Sequence, residues 1–171
     1  MKVPKAAVFA FFVLLALASP ALCATVRPLP TSAVADKVLV LKGPRRLYLL
    51  KGGKVLKAYR ISLGGRPRGP KVEEGDHRTP EGKYVLDWHN TESQFYKSIH
   101  ISYPNDKDLA RAKRSGVPPG GDLFIHGQPN EIDGPGRQPG DWTDGCIAVS
   151  NEAMDEIWRA VSDGTRIVIK P

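Results

Sequence analysis

A mainly β domain, a sandwich or barrel with a helix packed on it, is predicted by three observations on this 171-residue sequence. Glycine and proline make up 32 of the 171 residues, above the usual share of about 12%, and both interrupt helices while suiting strands and turns. Short apolar or alternating runs recur between turn signals. Only one segment carries a firm helical stripe. The length allows one ordinary domain, and 41% hydrophobic content is too high for a disordered chain.

Residues 1–24 stand apart from that domain. Lys2 and Lys5 precede an almost unbroken apolar run from Ala6 to Ala18, and small residues follow it. The run is short for a bilayer span, so it reads as a secretory signal cleaved near Cys23 or Ala24, with a short membrane anchor as the alternative. A lipoprotein site at Cys23 is disfavoured by the bulk of Leu22. Residues 25–36, with Pro28, Pro30 and Ser32, read as an exposed leader, and 37–171 as the folded domain.

Residues 37–42 read as a first strand and Gly43-Pro44 as a turn. Residues 46–50 and 55–63 are a second and third strand joined through Gly52-Gly53, a hairpin signal. Gly64 to Asp76 is a loop dense in Gly, Pro and charge. Thr79-Pro80-Glu81-Gly82 leads into a strand over 84–88. Residues 98–103 alternate, with Ser98, His100 and Ser102 on one face and Ile99, Ile101 and Tyr103 on the other. Residues 105–114 suit a short surface helix. Leu123-Phe124-Ile125 is a short strand ending at His126, and Gln128 to Asp141 is a long loop of the kind that is more often functional than idle. A buried strand over 146–149 precedes a helix capped by Ser150 or Asn151 and running to about Ser162. Met154, Ile157, Trp158 and Val161 form its core-facing stripe. Residues 166–169 are the last strand.

The net charge of +7 falls to +5 once residues 1–24, with their two lysines, are removed. The charges are scattered, and no basic stripe interleaved with aromatics argues for nucleic acid. The chain has two cysteines, and signal cleavage leaves Cys146 alone. Exported proteins tend to pair their cysteines, so a lone thiol is an intermolecular bridge, an inert core residue or a nucleophile.

His126 ends one short strand and Cys146 opens another, with the flexible loop between them. Were those strands neighbours, both side chains would sit at one end beneath the loop. An imidazole that takes the thiol proton turns a poor nucleophile into a good one. Gly145 permits close backbone approach, so the Gly145 and Cys146 amides are candidates to face a developing oxyanion. A carbonyl at Gly127 is the candidate to orient the imidazole. The plainer readings are a small buried cysteine and a structural histidine.

Ile125-His126-Gly127, a loop, and Thr143-Asp144-Gly145-Cys146-Ile147 together resemble the catalytic domain of the L,D-transpeptidases (YkuD type). That family carries a His, a spacer, then Ser/Thr-His-Gly-Cys, a hydrophobic residue and Arg or Asn. Thr79-Pro80-Glu81-Gly82-Lys83-Tyr84 is similar to its upstream Thr-Pro-x-Gly-x-aromatic segment. The resemblance covers residues 37–171 and implies a mixed β-sandwich, no metal or organic cofactor, Cys146 as nucleophile and His126 as its base. The implied substrates are peptidoglycan stem peptides, with a wall-attached lipoprotein as a further partner and a monomeric enzyme in the periplasm or cell envelope. The sequence departs from the family at Asp144, where a second His is usual, and at Ala148, where Arg or Asn is usual. An acid beside the nucleophile opposes thiolate formation if it faces the site. It could instead point away or hold Arg137.

Arg137, Trp142, Thr143 and His100 complete the candidate substrate-binding residues. Trp142 also suits a packing anchor for the loop, and His100 a solvated strand face. His77 and Arg78 read as exposed. Tyr103-Pro104-Asn105 reads equally as a rim of the site or a strand-ending turn. Two other function classes stay open. A zinc peptidase using His77, His100, His126, Asp144 or Cys146 lacks H-x-x-x-H or C-x-x-C spacing, and a wall-binding module would leave Cys146 inert.

Overall fold

The computed structural model describes residues 27–132 and 136–171. The signal segment expected over 1–24 lies outside the described residues, and no helix among them is long and apolar enough to cross a membrane. The chain runs β1 (Lys37–Leu41), β2 (Arg46–Lys51), β3 (Lys54–Arg60), β4 (Gly82–Asn90), β5 (Ser98–Ile101), α1 (Asp106–Ser115), β6 (Leu123–His126), β7 (Ile147–Ala148), α2 (Asn151–Ala160) and β8 (Thr165–Lys170). It is a mainly β fold, as the sequence predicts.

The strands form one mixed sheet in the order β3-β2-β1-β8-β4-β5-β6-β7. β1 pairs with β8, and β6 with β7, in parallel; the other pairs are antiparallel. Gly52 and Gly53 take φ of +55° and +78°, the left-handed geometry of a two-residue hairpin turn. β3 ends at Arg60, earlier than the expected Leu63, because Ile61 to Gly64 turn toward the opposite edge. There Ser62 pairs with Ala148 and Gly64 with Thr143, through Ser62 N–H to Ala148 O at 2.8 Å and Ala148 N–H to Ser62 O at 2.9 Å. This seam joins the two ends of the sheet just beyond β3, so the sheet curls into a partial barrel.

Alternation buries Val38 and Val40 of β1, Leu47 and Leu49 of β2, Ile99 and Ile101 of β5, and Ile167 and Ile169 of β8 in one core. Ser150 Oγ accepts the Ala153 N–H at 3.2 Å to cap α2. Met154 and Ile157 are buried against the sheet, and Trp158 is only partly buried. The helix stops at Ala160 rather than Ser162, where the Ala160 carbonyl accepts the Ala35 N–H at 2.7 Å.

That contact anchors part of the expected leader, most of whose described residues are exposed. Leu29 and Ala35 are buried in the core, and Leu29 N–H donates to Glu156 at 2.9 Å. Leu29 and Ala35 thus tie this stretch to the core beside α2. Tyr103 and Asn105 are likewise structural. Tyr103 is buried with its hydroxyl on Pro119 O at 3.0 Å, and Asn105 caps α1 in a capping box.

Candidate active site

His126 closes β6 and Cys146 immediately precedes β7. The parallel register Ile125↔Ile147 and His126↔Ala148 makes these strands neighbours but corrects the expectation of a shared end: Cys146 falls level with Phe124, two positions along the strand from His126 and on the same face. Both line one cavity of about 340 Å³, together with Phe95, Ser98 and Phe124. Ser98 and His126 are opposite each other across β5 and β6. The face carrying Ser98 is therefore the wall of a cleft there, not a solvated surface.

His126 is only 2% exposed. Its Nδ1–H donates to Gly127 O at 2.7 Å, which leaves Nε2 as the proton acceptor. Phe95 lies tilted on the ring at 4.5 Å, and Trp142 meets it edge-on at 5.7 Å. Burial lowers the imidazole pKa to about 4, and the Gly127 carbonyl opposes that shift. Cys146 is a partly buried free thiol whose Sγ lies 3.8 Å from Asp122 O. Burial raises its pKa to about 11. A backbone hydrogen bond with Phe124 opposes the rise, nearby Asp144 and Asp122 add to it, and Lys71 subtracts. The resting pair is therefore a neutral thiol and a neutral imidazole. Such a pair works by moving the proton during attack.

Glycines hold this geometry by close approach. At Gly145, with φ +132°, a Cβ would lie 2.7 Å from Arg78 O; at Gly127 it would lie 2.6 Å from Asn151 Oδ1 and 2.9 Å from Tyr96 Cβ. Thr143 is buried and organises the turn before the thiol. Its Oγ1 donates to Cys146 O at 2.8 Å and accepts the Gly145 N–H at 3.2 Å. That bond is a correction, because the Gly145 amide expected to face an oxyanion is engaged by the Thr143 hydroxyl. The Cys146 amide remains as the candidate donor.

Asp144 does not hold Arg137. Its carboxylate pairs with His77 Nδ1 at 2.7 Å, with side chains 90% and 49% exposed. His77 and Asp144 line a second, polar cavity of about 380 Å³ with Lys71, Glu74 and Cys146, so the thiol stands between two cavities. The sequence reading gave Phe95, Phe124 and Lys71 no role, and it read His77 as exposed, which it is, without foreseeing its pair with Asp144. His77 lies 67 residues from Asp144, and no local pattern joins them.

Arg137, Trp142 and His100 reach neither cavity. The Arg137 guanidinium bonds Ser62 Oγ and, at 2.8 Å, Gln138 O. It lines a larger cavity, about 750 Å³ between β3 and α2, with Arg46, Lys57, Arg60 and Glu156. That cavity shares no residue with those at Cys146. Trp142 packs on Phe95 and His126, and its indole N–H is buried without a partner among the described residues. His100 pairs with Asp87 at 2.7 Å and stacks on Trp88. Among the described residues no three His, Cys, Asp or Glu side chains converge as a metal site requires.

A family model for the L,D-transpeptidase catalytic domain matches residues 35–169. YafK of Escherichia coli (strain K12), a protein named for that family, is 32% identical over 120 residues, covering 68% of this chain and 42% of YafK. The chain thus spans less than half the length of the curated relatives it matches. Among solved structures, the helical cell shape determining protein Pgp2 from Campylobacter jejuni aligns with a TM-score of 0.63 and 26% identity, covering 81% of this chain and 48% of Pgp2. An L,D-transpeptidase from Xylanimonas cellulosilytica (residues 123–326) shares the fold at a TM-score of 0.52 and 20% identity, over 84% of this chain and 64% of the other.

Proposed function

We propose that this chain, which belongs to the L,D-transpeptidase catalytic domain family, is an exported cysteine acyltransferase acting on peptidoglycan tetrapeptide stems in the periplasm or envelope. The observation that carries the reading is the single cavity shared by Cys146 and His126, with His126 Nδ1 tied to Gly127 O.

Cys146 Sγ attacks the carbonyl that precedes the terminal D-alanine while His126 Nε2 takes the thiol proton. The Cys146 N–H meets the developing oxyanion. The imidazolium returns its proton to the departing D-alanine amine, leaving a thioester on Cys146. An acceptor amine then attacks the thioester. It yields a 3→3 cross-link or a wall-attached protein and regenerates the thiol. These steps use no metal or organic cofactor and need only a monomer.

A second reading rests on the polar cavity beside the thiol. Asp144 at its rim is 90% exposed, so water has a route to the thioester. In that reading the same pair is a hydrolase: an L,D-carboxypeptidase, an endopeptidase, or an amidase releasing wall-bound lipoprotein. Mass spectrometry of tetrapeptide muropeptides incubated with the chain, Cys146→Ala and His126→Ala separates the two. Cys-dependent loss of alanine with dimers indicates transfer, and loss giving only tripeptide monomers indicates hydrolysis. Full turnover by Cys146→Ala would overturn both.

A further inference from the structure

On the same sheet face as the thiol, the structure builds an aromatic surface that the chemistry at Cys146 does not use. β4 and β5 are in register at Leu86↔Ile101 and again at His89↔Ile99. Two β4 residues, Asp87 and Trp88, therefore stand opposite the single residue His100. This is a β-bulge, a device that re-aims side chains near functional sites. It turns two consecutive side chains outward, and both engage His100. The Asp87 carboxylate accepts from His100 Nδ1 at 2.7 Å, and the Trp88 indole stacks on the imidazole at 5.4 Å with 23° between planes. The next strand continues the row. Phe124 is paired with His100 and meets His100 and Trp88 edge-on at 5.2 and 5.6 Å. Phe124 also lines the thiol cavity. Trp88, 42% exposed, thus heads a row that leads through His100 and Phe124 to Cys146.

We propose that Trp88, His100 and Asp87 form a saccharide subsite that takes a pyranose ring of the wall glycan from which the stem peptide hangs. The inference rests on the peptidoglycan reading above. A pyranose has one face of C–H bonds and a rim of hydroxyl and acetamido groups. A rigid indole held flat by a stacked imidazole suits the face, and the Asp87 carboxylate suits the rim. A carboxylate at the edge disfavours an anionic membrane or a nucleic acid on this surface. The span fits as well. Adjacent strands lie about 4.8 Å apart, so β4 stands about 14 Å across the sheet from β7. The three stem residues that end at the scissile carbonyl reach about 10–11 Å when extended, and the sugar's own width covers the remainder.

The test uses the Cys146→Ala chain and glycan strands stripped of all peptide, with binding followed by indole fluorescence and calorimetry. The expected result is saturable binding at millimolar or lower concentration. Binding should be about tenfold weaker in Trp88→Ala, partly retained in Trp88→Phe, and weakened several-fold in Asp87→Asn, with unfolding midpoints confirming that each variant is folded. No saturable binding by the parent, or equal binding by folded Trp88→Ala, overturns the proposal. A parallel assay with Cys146 intact compares disaccharide-tetrapeptide with sugar-free tetrapeptide. Cys-dependent turnover of both with equal KM, and no glycan binding, overturns the saccharide subsite and leaves the peptidoglycan reading standing. Glycan binding without any Cys-dependent turnover does the reverse.

Discussion

Alkylation of Cys146 by iodoacetamide, followed from pH 6 to 10, tests whether the resting site holds a neutral pair. With its pKa pushed up to about 11, roughly one thiol in 10⁴ is ionised at pH 7, against about three in a hundred for an ordinary cysteine near 8.5. That is a deficit of about 300-fold in thiolate. A more basic thiolate is also a better nucleophile, and with a Brønsted slope near 0.4–0.5 the shift of about 2.5 units returns about 10–20-fold. The net expectation at pH 7 is alkylation about 15–30-fold slower than free cysteine, rising close to tenfold per pH unit with no plateau below pH 10. Asp144→Asn should move the rise to lower pH and Lys71→Met to higher pH, because their charges act on the thiol in those senses. His126→Gln should leave its position almost unchanged, because His126 is neutral throughout this range. Mass spectrometry of the labelled chain gives the rates. A wild-type plateau below pH 8 that disappears in His126→Gln would mean a preformed thiolate–imidazolium pair and would refute the reasoning.

Three further outcomes are expected. His126 titrates near 4 when folded and near 6.5 when unfolded. The unfolded chain therefore binds more protons between those values. The stability held above about pH 6.5 falls by about 3 kcal/mol as pH drops toward 4; urea unfolding of His126→Gln should lack this component, and parallel profiles would contradict it. Gly127→Ala and Gly145→Ala force a Cβ to within 2.6 Å of Asn151 Oδ1 and 2.7 Å of Arg78 O. Each should lower stability by about 1–3 kcal/mol and displace His126 or Cys146, read as loss of turnover in protein that still unfolds cooperatively. Lys42 is 2% exposed and donates to Gly69 O, Thr79 O and Glu81 at 2.6, 2.8 and 2.9 Å. Lys42→Met leaves a carboxylate and two carbonyls unpaired and should cost about 3–5 kcal/mol by chemical denaturation, and Lys42→Met with Glu81→Leu should recover part of it.

The strands and α2 were legible because each signal is local: alternation for β5, the Gly-Gly turn for β2 and β3, and the Ser150 cap with the Met154 and Ile157 stripe for α2. The His126 and Cys146 pair was legible because each adjoins a short apolar strand. What stayed hidden depends on contacts between distant segments. Nothing near Leu29 shows that it will be buried beside Glu156, 127 residues away. Nothing in the Thr143 to Cys146 run shows that a hydroxyl takes the Gly145 amide. The bulge at Asp87 and Trp88 is a property of the pairing with β5, not of β4 alone. A two-residue run of exposed side chains in one strand looks like a broken alternation until the partner strand is known.

The position of β8 bears on when this protein can exist. It follows every other described strand in sequence, yet it lies between β1 and β4 in the sheet. Until Thr165 to Lys170 have been synthesised, β1 to β3 and β4 to β7 are two fragments with no ladder between them. The Ser62 and Ala148 seam has then nothing to hold its halves in register. A chain without β8 therefore carries its thiol on a half-sheet that no ladder joins to the other half. A premature stop within the last few codons of this domain would remove the middle of the sheet, not its edge.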